Sequence, residues 1–344
     1  MKKFLVALLL GGFAFNSFAQ KQKTPQDSIS VFYDKIFWAM ESSYLYKDEV
    51  DWLELKSQVK SNLEQYKDFK SSLKEVETIF DYTKADHGQV YFNSIKYTGN
   101  FPGPTQKDFS EAWVEKFVSK PKFEVKVLDN QYGYILVPEI NLMDDSSKNV
   151  HNIAQVMYDE IAKIKSDNNI KGWIIDLRFN LGGTCVPMLL GLYDFLGDNQ
   201  IWGTLDLNKE WTNKVRLEKG KYFGDKKKIS YIKPSGILLD QAKVALLINK
   251  GTASSGEVVA LAFKERVNTI FIGEQTYGAT TSNIKVSLPF NAVMALTIGF
   301  DGDRNGKFYK TITPDVEVLK KDNFDNLLAD ENVIEAIKFI TDDK

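Results

Sequence analysis

At 344 residues the chain is long enough for one large domain and a smaller one, and 44 basic against 46 acidic side chains leave a net charge of -2. No basic stripe interleaved with aromatic residues runs along it, so nucleic acid is not expected as a partner. Cys185 is the only cysteine, which excludes an intrachain disulfide; with His87 and His151 the only histidines, no metal site and no other cofactor is expected.

The chain opens on "MKKFLVALLLGGFAFNSFAQ". Lys2 and Lys3 form a basic head, Phe4 to Phe15 an apolar middle, and Ser17-Phe18-Ala19 a small-residue end, the pattern of a signal peptide over 1–19. The expected location is therefore periplasmic or secreted. A membrane span needs ~20 continuous apolar residues, and this run is shorter and broken by Gly11 and Gly12. No second long apolar segment follows, so no span is expected after cleavage.

Residues 20–96 read as a helical N-terminal domain. Phe32, Ile36 and Met40 form one apolar stripe, Leu55, Val59 and Leu63 a second, and Leu73, Val76 and Phe80 a third. "SLKE", Ser72 to Glu75, has the spacing of a capping box for the last helix. The domain ends in the segment that carries His87. Residues 97–122, opening on the Gly- and Pro-rich "YTGNFPGPTQKD", read as a linker or loop.

Residues 123–344 alternate between strand and helix patterns. "FEVKVLD" and "YGYILVPEI" are strands joined by a turn at Asp129-Asn130, and "NIAQVMYDEIAKI" is a helix. "GWIIDLRF" and "KVALLIN" are apolar strands, each leading through a Gly-rich turn into a helix. "TIFIGE", "MALTIGF" and "PDVEV" are strand-like, and "NVIEAIKFI" is a closing amphipathic helix. This order predicts an α/β layer architecture. The charged stretch "EKGKYFGDKKK" over 218–228 reads as a solvated loop.

"GTASSGEVV" places Ser254 and Ser255 between a buried strand and the start of a helix. Free backbone N–H groups and the positive end of the helix dipole favour negative charge there, and Gly251, Ala253 and Gly256 leave room for a substrate backbone. The plainer alternative is a helix cap, with Glu257 completing it. Gly182 and Gly183 in "DLRFNLGG" either aim amides at an oxyanion or make a tight turn, and they lack the spacing of a dinucleotide site. A serine nucleophile needs a base, which His87 in "KADHGQVYF" could supply, and the plainer alternative is a surface or core histidine. His151 reads as a solvated residue near a helix start, and Cys185 as a small buried residue.

Taken in order, "YGYILVPEI", "GWIIDLRFNLGG", "VALLINKGTASSGE", "TIFIGEQTYGATT" and "TPDVEV" resemble the tail-specific, or C-terminal processing, serine peptidases over roughly 132–318. The resemblance implies an α/β fold, a ClpP/crotonase-like peptidase core preceded by the small helical domain, with a polypeptide substrate. It implies Ser254 as nucleophile, and the amide of Ser255 with one from the Gly182-Gly183 pair as the oxyanion hole.

The chain departs from the processing-peptidase pattern at one position. Where that branch carries a catalytic lysine after "GE-x-T-x-G", this chain has Ala279, and neither Lys285 nor Lys250 occupies the matching place. The branch that resembles the tricorn protease core takes a histidine from a segment N-terminal to the core, and "ADHGQV" is similar to it, so His87 becomes the implied base. That branch also implies an acid near Phe308 or Tyr309, where Asp303 and Asp315 are the nearest. Between His87 and Phe123 roughly 35 residues leave no room for a PDZ domain. The competing expectation is a non-catalytic protein holding a peptide or an apolar ligand on the same fold.

Overall fold

The computed structural model describes residues 24–167 and 170–342. The expected signal peptide, 1–19, lies outside them. The chain begins with helices α1 (Pro25–Ser43), α2 (Trp52–Leu63), α3 (Phe69–Ser72) and α4 (Glu75–Thr83), followed by strands β1 (Gln89–Phe92) and β2 (Ile95–Tyr97). Helix α5 (Glu111–Val118), strands β3 (Glu124–Leu128) and β4 (Tyr132–Leu136), helix α6 (Ser147–Asp167) and strand β5 (Gly172–Asp176) come next. Helices α7 (Cys185–Gly191) and α8 (Tyr193–Leu196) lead to β6 (Gln200–Leu205), β7 (Trp211–Glu218), β8 (Lys221–Gly224) and β9 (Lys227–Tyr231). The rest is β10 (Val244–Ile248), α9 (Ser255–Phe263), β11 (Thr269–Gly273), β12 (Thr281–Ser287), β13 (Val293–Asp303), β14 (Val316–Glu317) and α10 (Glu331–Thr341).

Among the described residues the strands form two sheets. The six-stranded one runs β14-β11-β10-β5-β4-β3, parallel throughout except for the β3–β4 hairpin. Its central strands are continuous apolar runs because both faces are covered. Trp173 and Ile175 of β5 and Leu246 and Ile248 of β10 face a core shared with α6, α7 and α9. Ile174, Ala245 and Leu247 alternate to the other face, against Trp113 of α5 and Ile340 of α10. Each fully buried aliphatic side chain of this kind stabilises the fold by about 1.5–3 kcal/mol.

The eight-stranded sheet runs β2-β1-β13-β6-β7-β8-β9, with β12 paired to β13. The N-terminal helices bury Phe32, Ile36, Met40, Leu55, Val59 and Phe80 in one cluster with Met294 and Leu296 of this sheet and Leu288 of the β12–β13 connection. The helical stripes read from the sequence are thus the contact face. β1 and β2 join the sheet through the pairing of Gln89–Tyr91 with Val293–Ala295, which carries the segment after His87 onto the core.

Several expectations need correction. Within 97–122, residues Glu111–Val118 form a helix capped by the Ser110 hydroxyl, which accepts from the Trp113 amide at 3.0 Å. Trp113 is buried, stacks with Phe109, Phe117 and Phe179, and donates its indole N–H to the Arg178 carbonyl at 2.9 Å. Residues 218–228 are no solvated loop: they run from the end of β7 through β8 into the start of β9, and Tyr222 is buried in the core. "SLKE" forms no capping box, since the Ser72 hydroxyl donates to Phe69 O and Glu75 accepts from Asn62 and Tyr66. His151 is half-buried, stacked on Tyr231 and bonded through Nδ1 to its carbonyl at 2.8 Å.

The parallel strands set the site. β5 and β10 are neighbours, and the segments leaving their carboxyl ends, 177–184 and 249–254, lie side by side at the edge where α/β sheets present ligand crevices.

Candidate active site

The turn between β10 and α9 is fastened at nearly every residue. Thr252 Oγ1 donates to Leu177 O at 3.0 Å, the Ala253 amide to Asn180 O at 3.0 Å, and the Gly251 amide to Asn249 Oδ1 at 2.8 Å. Gly256 is required because a Cβ there would stand 2.3 Å from the Asn180 carbonyl oxygen. Held this way, Ser254 takes φ 51° and ψ -115° at the head of α9, a conformation that costs a non-glycine residue of order 1–3 kcal/mol. The surrounding bonds sustain that strain, and Ser254 and Glu257 also form the capping box of α9.

Glu257 closes the turn from below. Fully buried, it accepts from the Ser254 amide at 3.0 Å, from Thr276 Oγ1 at 2.5 Å and from the Gly278 amide at 2.8 Å. Burial pushes its carboxyl up to about 7, against the pull of these donors and of the Ala279 amide. One carboxyl thus ties the serine turn to the segment 276–279. Ala279 is buried there.

Gly182 and Gly183 have φ of 127° and 98°, open to glycine alone, and a Cβ on Gly183 would lie 2.3 Å from Ile140 O. Gly182 is beside the serine turn, its absent Cβ only 3.1 Å from that of Ser254. The Gly182 amide donates to Asn180 Oδ1 at 3.3 Å, whereas the Gly183 amide has no partner among the described residues. The amide of Ser255, in the first turn of α9, is free of an intrahelical bond by helix geometry. The Ser255 hydroxyl donates to Gly183 O at 2.7 Å, linking the two segments. Gly182 therefore shapes the turn, and Gly183 and Ser255 hold the amides open to a ligand.

His87 meets this turn from the other sheet. Its Nε2 lies 3.0 Å from Ser254 Oγ, and its Nδ1 lies 2.7 Å from Thr281 Oγ1 at the start of β12. The carbonyl of His87 accepts from Asn283 Nδ2 at 3.0 Å, and Asn283 Oδ1 accepts from Thr297 Oγ1 at 2.8 Å. Burial lowers the imidazole below its ordinary value, opposed by the negative charge of Asp86 and a hydrogen bond to the Thr281 backbone. A buried neutral imidazole 3.0 Å from a serine hydroxyl can accept its proton.

The acids named from the sequence are elsewhere. Asp303 accepts from the amides of Asn305 and Lys307 and from the Tyr309 hydroxyl, and Asp315 accepts from the Phe271 amide. Neither bonds to His87. Lys250 pairs with Asp108 at 2.9 Å and Lys285 with Asp145 at 2.8 Å. Cys185 is half-buried against the core, and burial pushes its thiol up to about 12, away from the thiolate form. Sequence reasoning missed Thr281 and Asn283 because nothing in their spacing links them to residue 87. It also missed the set made by buried Arg178 with Asp176, Asp322 and Asp330, which ties the end of β5 to the C-terminal segment.

Comparison with known proteins agrees with the geometry. The chain is 28% identical over 318 residues to the nisin-resistance protein of Lactococcus lactis subsp. lactis, covering 91% of this chain and 89% of that protein. It is 26% identical over 193 residues to a carboxy-terminal-processing protease of Bartonella bacilliformis, covering 56% of this chain and 39% of that one. Among solved structures, a lipoprotein from Streptococcus agalactiae shares the fold with a TM-score of 0.64 at 23% identity, over 85% of this chain and 92% of that one. A protein from Parabacteroides merdae does so with a TM-score of 0.54 at 15% identity, over 94% and 98%. The profile of peptidase family S41 matches residues 131–318, more than half of the chain, and spans β5, the serine turn and β12. With a parallel sheet whose strand ends carry a strained serine and a pair of glycines, the chain belongs to peptidase family S41.

Proposed function

We propose that this serine-type peptidase is an exported, active enzyme that cuts polypeptides with Ser254 as nucleophile and His87 as general base. The observation that carries the reading is the 3.0 Å contact between His87 Nε2 and Ser254 Oγ, which supplies a base where the family lysine position is Ala279. In the first step Oγ bonds to the peptide carbonyl carbon, its proton passes to Nε2, and the carbonyl oxygen takes the negative charge. The amides of Gly183 and Ser255 are the donors available to that oxyanion. The C–N bond then breaks as His87 returns the proton to the leaving amine, and water releases the acyl group by the same steps. Export rests on the sequence of residues 1–19.

The substrate is a polypeptide, and the name of the Lactococcus relative makes nisin the first compound to assay beside an unstructured protein. The test incubates the purified chain with both and reads new termini by mass spectrometry. Cleavage by the wild type that is lost in Ser254→Ala supports the reading, and equal cleavage by Ser254→Ala overturns it. The non-catalytic alternative, motivated by Ala279, requires both proteins to bind and neither to cut.

A further inference from the structure

In serine peptidases of the Ser-His-Asp kind, a carboxylate on Nδ1 fixes the imidazole tautomer and stabilises the charge that the base acquires. No carboxylate bonds to His87 among the described residues. What stands there is the edge of β12. Thr281 Oγ1 is 2.7 Å from Nδ1, and two residues on, Asn283 Nδ2 is 3.0 Å from the His87 carbonyl oxygen. The β12–β13 register shifts between Ser282 and Asn283, and across that irregularity both side chains reach residue 87. Between them Ser282 points the other way, its hydroxyl bonded to Asp301 and to Thr204 Oγ1, which pins β12 to its neighbours. Asn283 is itself fixed by Thr297 of β13, at 2.8 Å. Each bond is short, directional and part-buried, so the ring and the backbone of residue 87 are located from one strand.

We propose that Thr281 and Asn283 are the positioning residues of the general base, a hydroxyl and an amide orienting His87 in place of a carboxylate. This rests on the Ser254–His87 reading. Nδ1–H donates to Thr281, which leaves the Nε2 lone pair for the serine proton. When Nε2 takes that proton, the new positive charge meets oxygen dipoles and no full negative charge on the Nδ1 side. The charged groups around His87 are few. Asp86 on its own segment raises its affinity for a proton, Ser254 and β12 contribute uncharged groups, and Tyr277 from the neighbouring segment feels the same Asp86. The base must be unprotonated to work, so activity is lost as pH falls through its pKa. With burial lowering that pKa below the ordinary 6.5, the acid limb lies lower than that of a carboxylate-oriented histidine.

The test measures the second-order rate of Ser254 labelling by a fluorophosphonate across pH ~4 to 8, using the full chain and four variants. Thr281→Val keeps shape and removes the hydroxyl; it is expected to slow labelling by about 10- to 100-fold, the scale of a misplaced catalytic group. Thr281→Ser restores the hydroxyl and should return the rate to within about threefold. Thr281→Asp installs the missing charge and should move the acid midpoint up by about one pH unit. A Thr281→Val rate within about twofold of wild type, or a Thr281→Ser rate as low as that of Thr281→Val, overturns the proposal, as does an unmoved midpoint in Thr281→Asp. Ser254→Ala separates the two readings: label retained there means that the nucleophile assignment has failed, whatever residue 281 does.

Discussion

Ser254 stands within one unbroken stretch, from β10 through its turn into α9, whereas His87 reaches it across 167 positions and contacts a strand residue 194 positions away. The nucleophile side is local and doubly braced. Its turn is bonded to Leu177 and Asn180, and Glu257 holds it from the helix below. The base side is assembled by packing, from a segment after α4 and from β12 of the eight-stranded sheet. Strain can be stored on the braced side, as the positive φ of Ser254 shows, because many bonds over-determine it. On the other side, alignment depends on few contacts, so small changes far from Ser254 in sequence should act on rate more than on fold.

The contrast can be broken most severely at its meeting point. Ser254→Ala and His87→Ala should each reduce peptide turnover by about a thousandfold or more while the far-UV circular dichroism spectrum stays unchanged. Arg178→Met acts on the braced side: it strands the buried carboxylates of Asp176 and Asp330 without a cation and should cost about 3–5 kcal/mol in denaturant unfolding. Ser255→Ala should fold normally yet lower kcat roughly tenfold, because the hydroxyl that ties α9 to Gly183 O is lost and the two open amides drift apart. This is a larger effect than the sequence suggested, where Ser255 offered only its amide.

Stability should also carry the mark of two buried acids. Burial pushes Glu257 up to about 7 from an ordinary 4.5 and Asp301 up to about 7 from 3.8. The unfolded chain ionises first, so it binds fewer protons than the native state between those values. The stability these groups confer is full below pH ~4 and falls as pH rises toward 7, by a few kcal/mol. Asp301→Asn should flatten that slope in urea melts taken at pH 5 and 8. The smallest effect is expected at Lys285→Ala, since its pair with Asp145 is half-exposed and worth about 0–1 kcal/mol.

Much of the nucleophile side was legible in the sequence because its chemistry is consecutive. "VALLIN" gave a strand buried on both faces, "SSGE" a turn into a helix, and the glycines at 182 and 183 marked backbone that only glycine adopts. His87 was reached through the resemblance of "ADHGQV" to the tricorn-core branch, since as one of two histidines it could equally have been a surface or core residue. Its orienting group was not, because a hydroxyl on an edge strand has no spacing that ties it to residue 87, and the search was for an acid. The helix over Glu111–Val118 was hidden by the Gly- and Pro-rich stretch before it, and the strand in the charged run over 218–228 by its lysines, which alternate with the buried Tyr222.

The central claim is that His87 activates Ser254, and fluorophosphonate labelling followed by peptide mapping tests it most directly. At pH 8 the account predicts a single labelled peptide carrying Ser254, absent from Ser254→Ala and formed at least about a hundredfold more slowly in His87→Ala. Label on another residue, or equal labelling rates in wild type and His87→Ala, would contradict it.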